Sequence, residues 1–156
     1  MRQTHTAFLF SSLLAFAAPA SAFSVRISPI GVDLAPNERA QSLTITNIDS
    51  EASNMQVRIF KWTQIDGQDH LEPTDEIAIS PPFLAVPAGK SYTVRVVRAA
   101  VQPEAGEATY RMFVDEIPKP AAPGSQDQSV RMVLRASMPV FVTNKSAKAD
   151  LSWQIW

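Results

Sequence analysis

The segment SYTVRVVR, residues 91–98, alternates in character at every second position. Tyr92, Val94 and Val96 fall on one side of an extended chain, and the residues between them fall on the other. A period of two is typical of a β-strand that turns one apolar face toward a core. The segment therefore predicts a β-strand.

Short runs of the same kind recur along the chain and are separated by turn-forming clusters such as APNE, PAGK and PEAGE. Asp66-Gly67 predicts a hairpin turn, because this pair accepts the positive φ angles that a tight turn requires. No segment has a clear helical apolar stripe, so the sequence predicts an all-β sandwich or barrel. The other runs are SVRIS (24–28), QSLTITN (41–47), NMQVRIFKW (54–62), TYRMFVDE (109–116), SVRMVLRAS (129–137) and MPVFVTN (138–144).

The N-terminus has the features of a secretory signal peptide over residues 1–22. Arg2 is followed by a short apolar run, and Ala20-Ser21-Ala22 forms an A-x-A cleavage site. The apolar run is too short to span a bilayer, and no later run is long enough. The sequence thus predicts an exported protein whose folded domain starts at residue 23.

The composition argues against most kinds of chemistry. The chain has no cysteine, and only His70 remains after the predicted cleavage, which excludes a thiol nucleophile and a multi-histidine metal site. A net charge of −1 without a basic run gives no sign of a nucleic-acid partner. We expect no enzymatic activity, no metal and no cofactor.

The strand-like run SVRMVLRAS has an apolar face whose partner the sequence does not identify. In SVRMVLRAS the apolar residues Val130, Met132, Leu134 and Ala136 alternate with more polar ones, and the run follows a Pro-rich stretch over 118–128. Such a row can face the protein's own core, or it can be offered to another protein. An exposed apolar edge strand is an aggregation hazard unless it is protected or used.

Four arginines in predicted strands are candidates for binding an anionic group, because the guanidinium fork suits a carboxylate. Each of them could equally be a surface residue whose stem covers apolar area. They are Arg95, Arg98, Arg111 and Arg135.

Three stretches together resemble the N-terminal domain of the PapD-like periplasmic chaperones of pilus assembly. They are residues 28–47, 81–98 and 109–118, and the Pro-rich stretch, SVRMVLRAS and MPVFV follow in the order of that family. RIFKWTQIDG and the Pro-Val-Phe ending look most like the branch that assembles archaic, spore-coat-like pili. The resemblance implies an immunoglobulin-like β-sandwich over residues 23–143.

The resemblance also implies a function. Chaperones of this family lend the last strand of their first domain to pilus subunits that lack a strand, a case of β-strand addition. The lent row maps here onto Val130, Met132 and Leu134, with Ala136 possibly continuing it. The implied partners are pilus subunits and an outer-membrane usher, and the implied location is the periplasm.

The sequence departs from the family at two places. The family grips the subunit's C-terminal carboxylate with a basic pair, and these positions align with Gly31 and Pro139, neither of which can bind a carboxylate through its side chain. The family has a second domain, whereas ADLSWQIW resembles only the opening of another strand. We therefore expect residues 144–156 to be a linker or the start of a truncated second domain. The alternative to a chaperone is a pilin-like or adhesive subunit of a surface fibre.

Overall fold

The computed structural model describes residues 25–99, 106–118, 133–148 and 152–154. These residues form strands and no helix, which confirms the all-β prediction. The predicted signal peptide lies outside the described residues. The strands are β1 (Val25–Ser28), β2 (Val32–Leu34), β3 (Ala40–Asn47), β4 (Ser53–Ile65), β5 (Gln68–Pro73), β6 (Ile77–Ser80), β7 (Phe83–Val86), β8 (Ser91–Arg98), β9 (Glu107–Ile117) and β10 (Arg135–Thr143).

The strands form two sheets that enclose one core. The four-stranded sheet has the order β1-β3-β8-β6, and the six-stranded sheet has the order β2-β10-β9-β4-β5, with β7 pairing beside β5 on β4. Strands β2 and β10 are parallel, whereas all the other pairs are antiparallel. The fold is therefore a β-sandwich whose last described strand lies between β9 and the short β2.

The period of two decides which side chains enter the core. In β8 the side chains of Val94 and Val96 are fully buried, while Arg95 between them is exposed. Strands β9 and β10 contribute in the same way, with Met112, Val114, Met138, Val140 and Val142 all buried. Both sheets thus turn one apolar face inward, as the alternation predicts.

A buried polar residue, Asn47, lies at the end of β3. The Asn47 side chain donates from Nδ2 to the main-chain oxygens of Glu51 and Val86, at 2.6 and 2.9 Å. Its Oδ1 accepts the main-chain N–H of Asp49 at 2.9 Å. Because its donors and its acceptor are used, the amide joins the β3–β4 turn to β7 without leaving an unpaired polar group in the core.

The structure differs from the sequence prediction in three short strands and one long one. Strands β2, β6 and β7 have three or four residues each, too few for alternation to be recognised. SVRMVLRAS and MPVFVTN were predicted as separate runs, but β10 continues through Pro139 from one into the other. The residues 152–154 of ADLSWQIW are not in a strand. In the described part of the chain, no helix could cross a membrane.

Candidate functional site

The first half of β10 has a free edge. Strand β10 pairs with β9 over its whole length, whereas β2 pairs only with Val140–Val142. Among the described residues, no strand pairs with 135–138 on the side away from β9. An unpaired edge of this kind exposes main-chain N–H and C=O groups to a further strand.

The direction of these main-chain groups follows from one hydrogen bond. The N–H of Glu116 on β9 donates to the C=O of Leu134 at 2.9 Å, so the main-chain groups of Leu134 face β9. Along a regular strand these groups alternate in direction, and the β9–β10 register is unbroken. Arg135 and Ser137 therefore point their main-chain groups outward. Pro139 is the next outward position, where a missing N–H breaks no bond to β9.

Two of the four residues predicted for the lent row are described. Leu134 and Ala136 are half-buried and pack against the edge of the core, on the same face as the buried Met138. Val130 and Met132 lie outside the described residues. Leu134 and Ala136 thus continue the core-facing side of β10, and both are more exposed than Met138.

The four candidate arginines do not converge. Arg95 and Arg98 lie on β8 in the four-stranded sheet, where Arg95 is exposed and Arg98 is only 8% exposed. The Nη1 atom of Arg98 is buried and has no hydrogen-bond partner among the described residues. Arg111 and Arg135 lie on β9 and β10, on the outer face of the six-stranded sheet.

Arg111 stacks on an aromatic ring of the neighbouring strand. Its Cζ lies 3.8 Å from the ring centroid of Trp62, and its Nη2 lies 3.9 Å from Oδ2 of Asp69. The pKa of Asp69 lies below its usual value, mainly because Gln64 donates a hydrogen bond to it. The polar N–H of Trp62 and the positive charge of Arg111 lower it further. Stacking of this type holds a guanidinium in place while its edge remains available for hydrogen bonds.

Arg135 is held by a carboxylate instead. Its Nε donates to Oδ1 of Asp115, while Arg58 donates from Nε and Nη2 to Oδ2 of the same carboxylate, at 3.1 and 2.6 Å. Burial raises the pKa of Asp115, but the hydrogen bonds from Arg135 and Arg58 outweigh it, and the pKa lies below its usual value. The Asp115 carboxylate therefore engages the Nε of Arg135, while 63% of the Arg135 side chain remains exposed.

The two positions that depart from the family are neighbours in space. A Cβ atom built on Gly31 would lie 3.5 Å from Cγ of Pro139. Arg111 is the cross-strand partner of Pro139 on β9. A basic residue is thus present one strand away from the aligned pair, on the outer face.

Sequence reasoning missed two features around the start of β10. Glu116 accepts hydrogen bonds from Ser53 and from the Leu134 N–H, although these residues are far apart in the sequence. Phe83 and Ile117, with 59 and 39% of their areas accessible, line one shallow pocket, and Val133 before β10 is also exposed, at 55%. Only the spacing of these residues in the fold brings them together.

The family model of the pili and flagellar-assembly chaperones, PapD N-terminal domain, matches residues 24–147. The chain belongs to this family. The PapD N-terminal domain accounts for both sheets and for every strand described above.

Solved structures agree with this assignment. The chaperone–tip adhesion subunit complex CsuC–CsuE, from the archaic Csu pili of Acinetobacter baumannii, matches with 29% identity and a TM-score of 0.69. That match covers 79% of this chain and 53% of the other, so the chain spans about half the length of its solved relative. It confirms the predicted resemblance to the archaic branch and the immunoglobulin-like sandwich.

More distant structures share the fold. The Escherichia coli chaperone DraB matches with 21% identity and a TM-score of 0.61, covering 81% of this chain and 58% of the other. The SafB chaperone of Salmonella enterica, solved with the SafA pilin, matches with 17% identity and a TM-score of 0.64, covering 84 and 59%. No curated protein matches the chain.

Proposed function

We propose that this protein is a periplasmic chaperone that caps pilus subunits by adding the free edge of β10 to them. The observation that carries the proposal is the pairing of β10, which is complete toward β9 but limited to Val140–Val142 on the other side. A subunit that lacks a strand could pair with the outward main-chain groups of Arg135 and Ser137. The capped subunit would be kept from associating through its open groove.

The composition of the edge supports this choice. Strand β5 is also at an edge, but its exposed residues include Asp69, Glu72 and Pro73, which are typical protections against unwanted pairing. On β10 the outward charge belongs to Arg135, whose side chain is held by Asp115. The β10 edge is thus the less protected of the two.

The energetics assign different tasks to backbone and side chains. A main-chain hydrogen bond contributes about 0.5–1.5 kcal/mol net, whereas burying a Leu or Met side chain contributes roughly 1.5–3 kcal/mol. We propose that Val130, Met132, Leu134 and Ala136 fill pockets of the subunit groove and supply most of the affinity. The main-chain bonds then fix the register.

We further propose Arg111 as the anchor for the subunit's C-terminal carboxylate. It lies across from Pro139, which is itself next to Gly31, and its guanidinium stacks on Trp62 on the outer face. Arg95 lies exposed on the other sheet, Arg98 is buried, and Arg135 is engaged by Asp115. Phe83 and Ile117 line a shallow pocket at the C-terminal end of β9, away from Arg111, and we propose this pocket for the usher.

The main-chain role can be tested with one proline. Ser137→Pro removes an outward N–H and leaves the bonds to β9 intact, whereas Ser137→Ala keeps that N–H and serves as the matched control. We expect the alanine variant to capture a subunit in the periplasm of its host and the proline variant to lose most of this capture. Native mass spectrometry of the purified chain measures the one-to-one complex.

Two results would contradict the proposal. Equal capture by both variants, with equal thermal unfolding temperatures, would show that the β10 edge does not bind the subunit. Stable self-association of the wild-type chain into fibres would favour a structural subunit instead. The proposed function consists of binding alone and requires no catalytic step or cofactor.

A further inference from the structure

Two consecutive carboxylates of β9 contact the start of β10 from opposite faces. Neighbouring side chains on a strand point to opposite faces, so Asp115 lies on the outer face and Glu116 on the core side. Asp115 binds the side chain of Arg135. Glu116 binds the main chain of Leu134, since its Oε2 accepts that N–H at 3.3 Å.

The Glu116 contact replaces a regular ladder bond. In a continuing antiparallel pair, the N–H of Leu134 would donate to the main-chain oxygen of Glu116. It donates to the Glu116 side chain instead, while the Glu116 N–H still donates to the Leu134 oxygen at 2.9 Å. The regular β9–β10 ladder therefore ends at Leu134, at the start of the free edge.

A third strand holds the carboxylate in this orientation. Oε1 of Glu116 accepts the hydroxyl of Ser53 at 3.0 Å, and Ser53 on β4 is only 6% exposed. The carboxylate thus bridges β4 and Leu134, the residue that precedes β10. A buried hydroxyl has few other partners, which makes the orientation of Glu116 well defined.

We propose that Glu116, oriented by Ser53, is a positioning residue that ends the β9–β10 ladder and fixes the register of the free edge. The proposal rests on the function proposed above, because the register decides which side chains meet the subunit groove. A slip by one residue would turn Leu134 and Ala136 to the opposite face. A slip by two would move each of them by one pocket.

The first test uses the protein without any subunit. In Glu116→Ala the Leu134 amide loses its acceptor, and its hydrogen exchange should become about tenfold faster. Glu116→Gln keeps an oxygen for this amide, and its NH₂ group can donate to the Ser53 hydroxyl, so we expect near-normal exchange. Unchanged exchange in the alanine variant would overturn the proposal.

The second test measures capture of the subunit by the same variants with native mass spectrometry. We expect Glu116→Ala to form several-fold less complex and Glu116→Gln to restore it. Fast exchange with full capture in the alanine variant would overturn the positioning role and leave the chaperone function standing. Failure of the chaperone function itself would appear separately, as equal capture by Ser137→Pro and Ser137→Ala.

Discussion

At the scale of single residues, the outer face of the six-stranded sheet is organised by guanidinium groups. Arg58, Arg111 and Arg135 each lie near an aromatic ring, with Cζ-to-centroid distances of 5.7, 3.8 and 5.6 Å. Two of them share the Asp115 carboxylate, whereas the third contacts Asp69 at the longer distance of 3.9 Å. Arg111 therefore has the longest carboxylate contact of the three, which leaves its guanidinium available although only 20% of its side chain is exposed.

This availability gives a prediction for Arg111. A charge-assisted hydrogen bond contributes about 1.5–3 kcal/mol, so Arg111→Ala should weaken subunit capture by about tenfold or more. Arg111→Lys keeps the charge but loses the planar fork, and we expect it to restore capture only in part. Competition between wild-type and variant chains for one co-produced subunit, read by native mass spectrometry, measures the effect.

Arg95→Ala is the matched control for this prediction, because Arg95 is exposed on the other sheet. Its capture should equal that of the wild type. Equal losses in the Arg95 and Arg111 variants would indicate a general charge effect and would remove Arg111 as the anchor.

At the scale of elements, the β4–β5 hairpin shows how turn chemistry sets strand pairing. Asp66 and Gly67 have φ angles of 52° and 74°, which confirms the tight turn predicted from the sequence. The turn pairs Ile65 with Gln68 and places Trp62 opposite Leu71. The ring that supports Arg111 is thus held in a strand whose register depends on two turn residues.

The hairpin allows a clean measurement of backbone strain. A Cβ atom built on Gly67 meets nothing within 4 Å, so a substitution there acts through the positive φ alone. Gly67→Ala should lower the free energy of unfolding by about 1–2 kcal/mol. Gly67→Asn should cost less, because asparagine tolerates this conformation. Urea denaturation measures both, and equal costs would contradict the strain argument.

The longer elements could be predicted from the sequence, whereas the contacts between them could not. Alternation indicated β3, β8 and β9 because each is long enough to show the period. SVRMVLRAS and MPVFVTN were predicted as separate runs, whereas β10 joins them and tolerates Pro139, because the outward position of its nitrogen depends on the pairing with β9. The contact between Ser53 and Glu116 has no signal in the sequence, because 63 positions separate the two residues.

At the scale of the whole molecule, Glu76 links the two sheets of a sandwich that has no cysteine. Its carboxylate accepts hydrogen bonds from Lys61 on β4 at 3.0 Å and from the Tyr110 hydroxyl on β9 at 2.7 Å. Its main-chain oxygen accepts the N–H of Ala99, which follows β8 in the other sheet. The hydrogen bonds from Tyr110 and Lys61 lower the pKa of Glu76.

This lowered pKa predicts how stability depends on pH. The stabilisation from Glu76 is present above its unfolded pKa, near 4.5, and is lost as the pH falls through its lower folded pKa. Glu76→Gln should therefore reduce stability at neutral pH and flatten the acid decline. Glu72→Gln on the exposed β5 is the control. Urea midpoints from pH 3 to 7 measure the effect, and parallel curves for both variants would contradict it.

The Tyr110 phenol makes stability depend on pH in the alkaline range as well. Burial, followed by the hydrogen bond to Glu76, raises the pKa of this phenol. Its stabilisation is therefore present below the unfolded pKa, near 10, and declines as the pH rises above it. The hydrogen-bonded pair of Glu76 and Tyr110 therefore contributes its full stability only between the acidic and the alkaline pH range.

The position of Pro139 limits how far an added strand can extend. Outward N–H groups are present at Arg135 and Ser137, the next outward residue is Pro139, and β2 occupies the edge from Val140 onward. A guest strand could therefore pair with the edge of β10 only as far as Ser137. The protein would then pair with its guest over a short and defined length, which fixes how the two sheets are aligned.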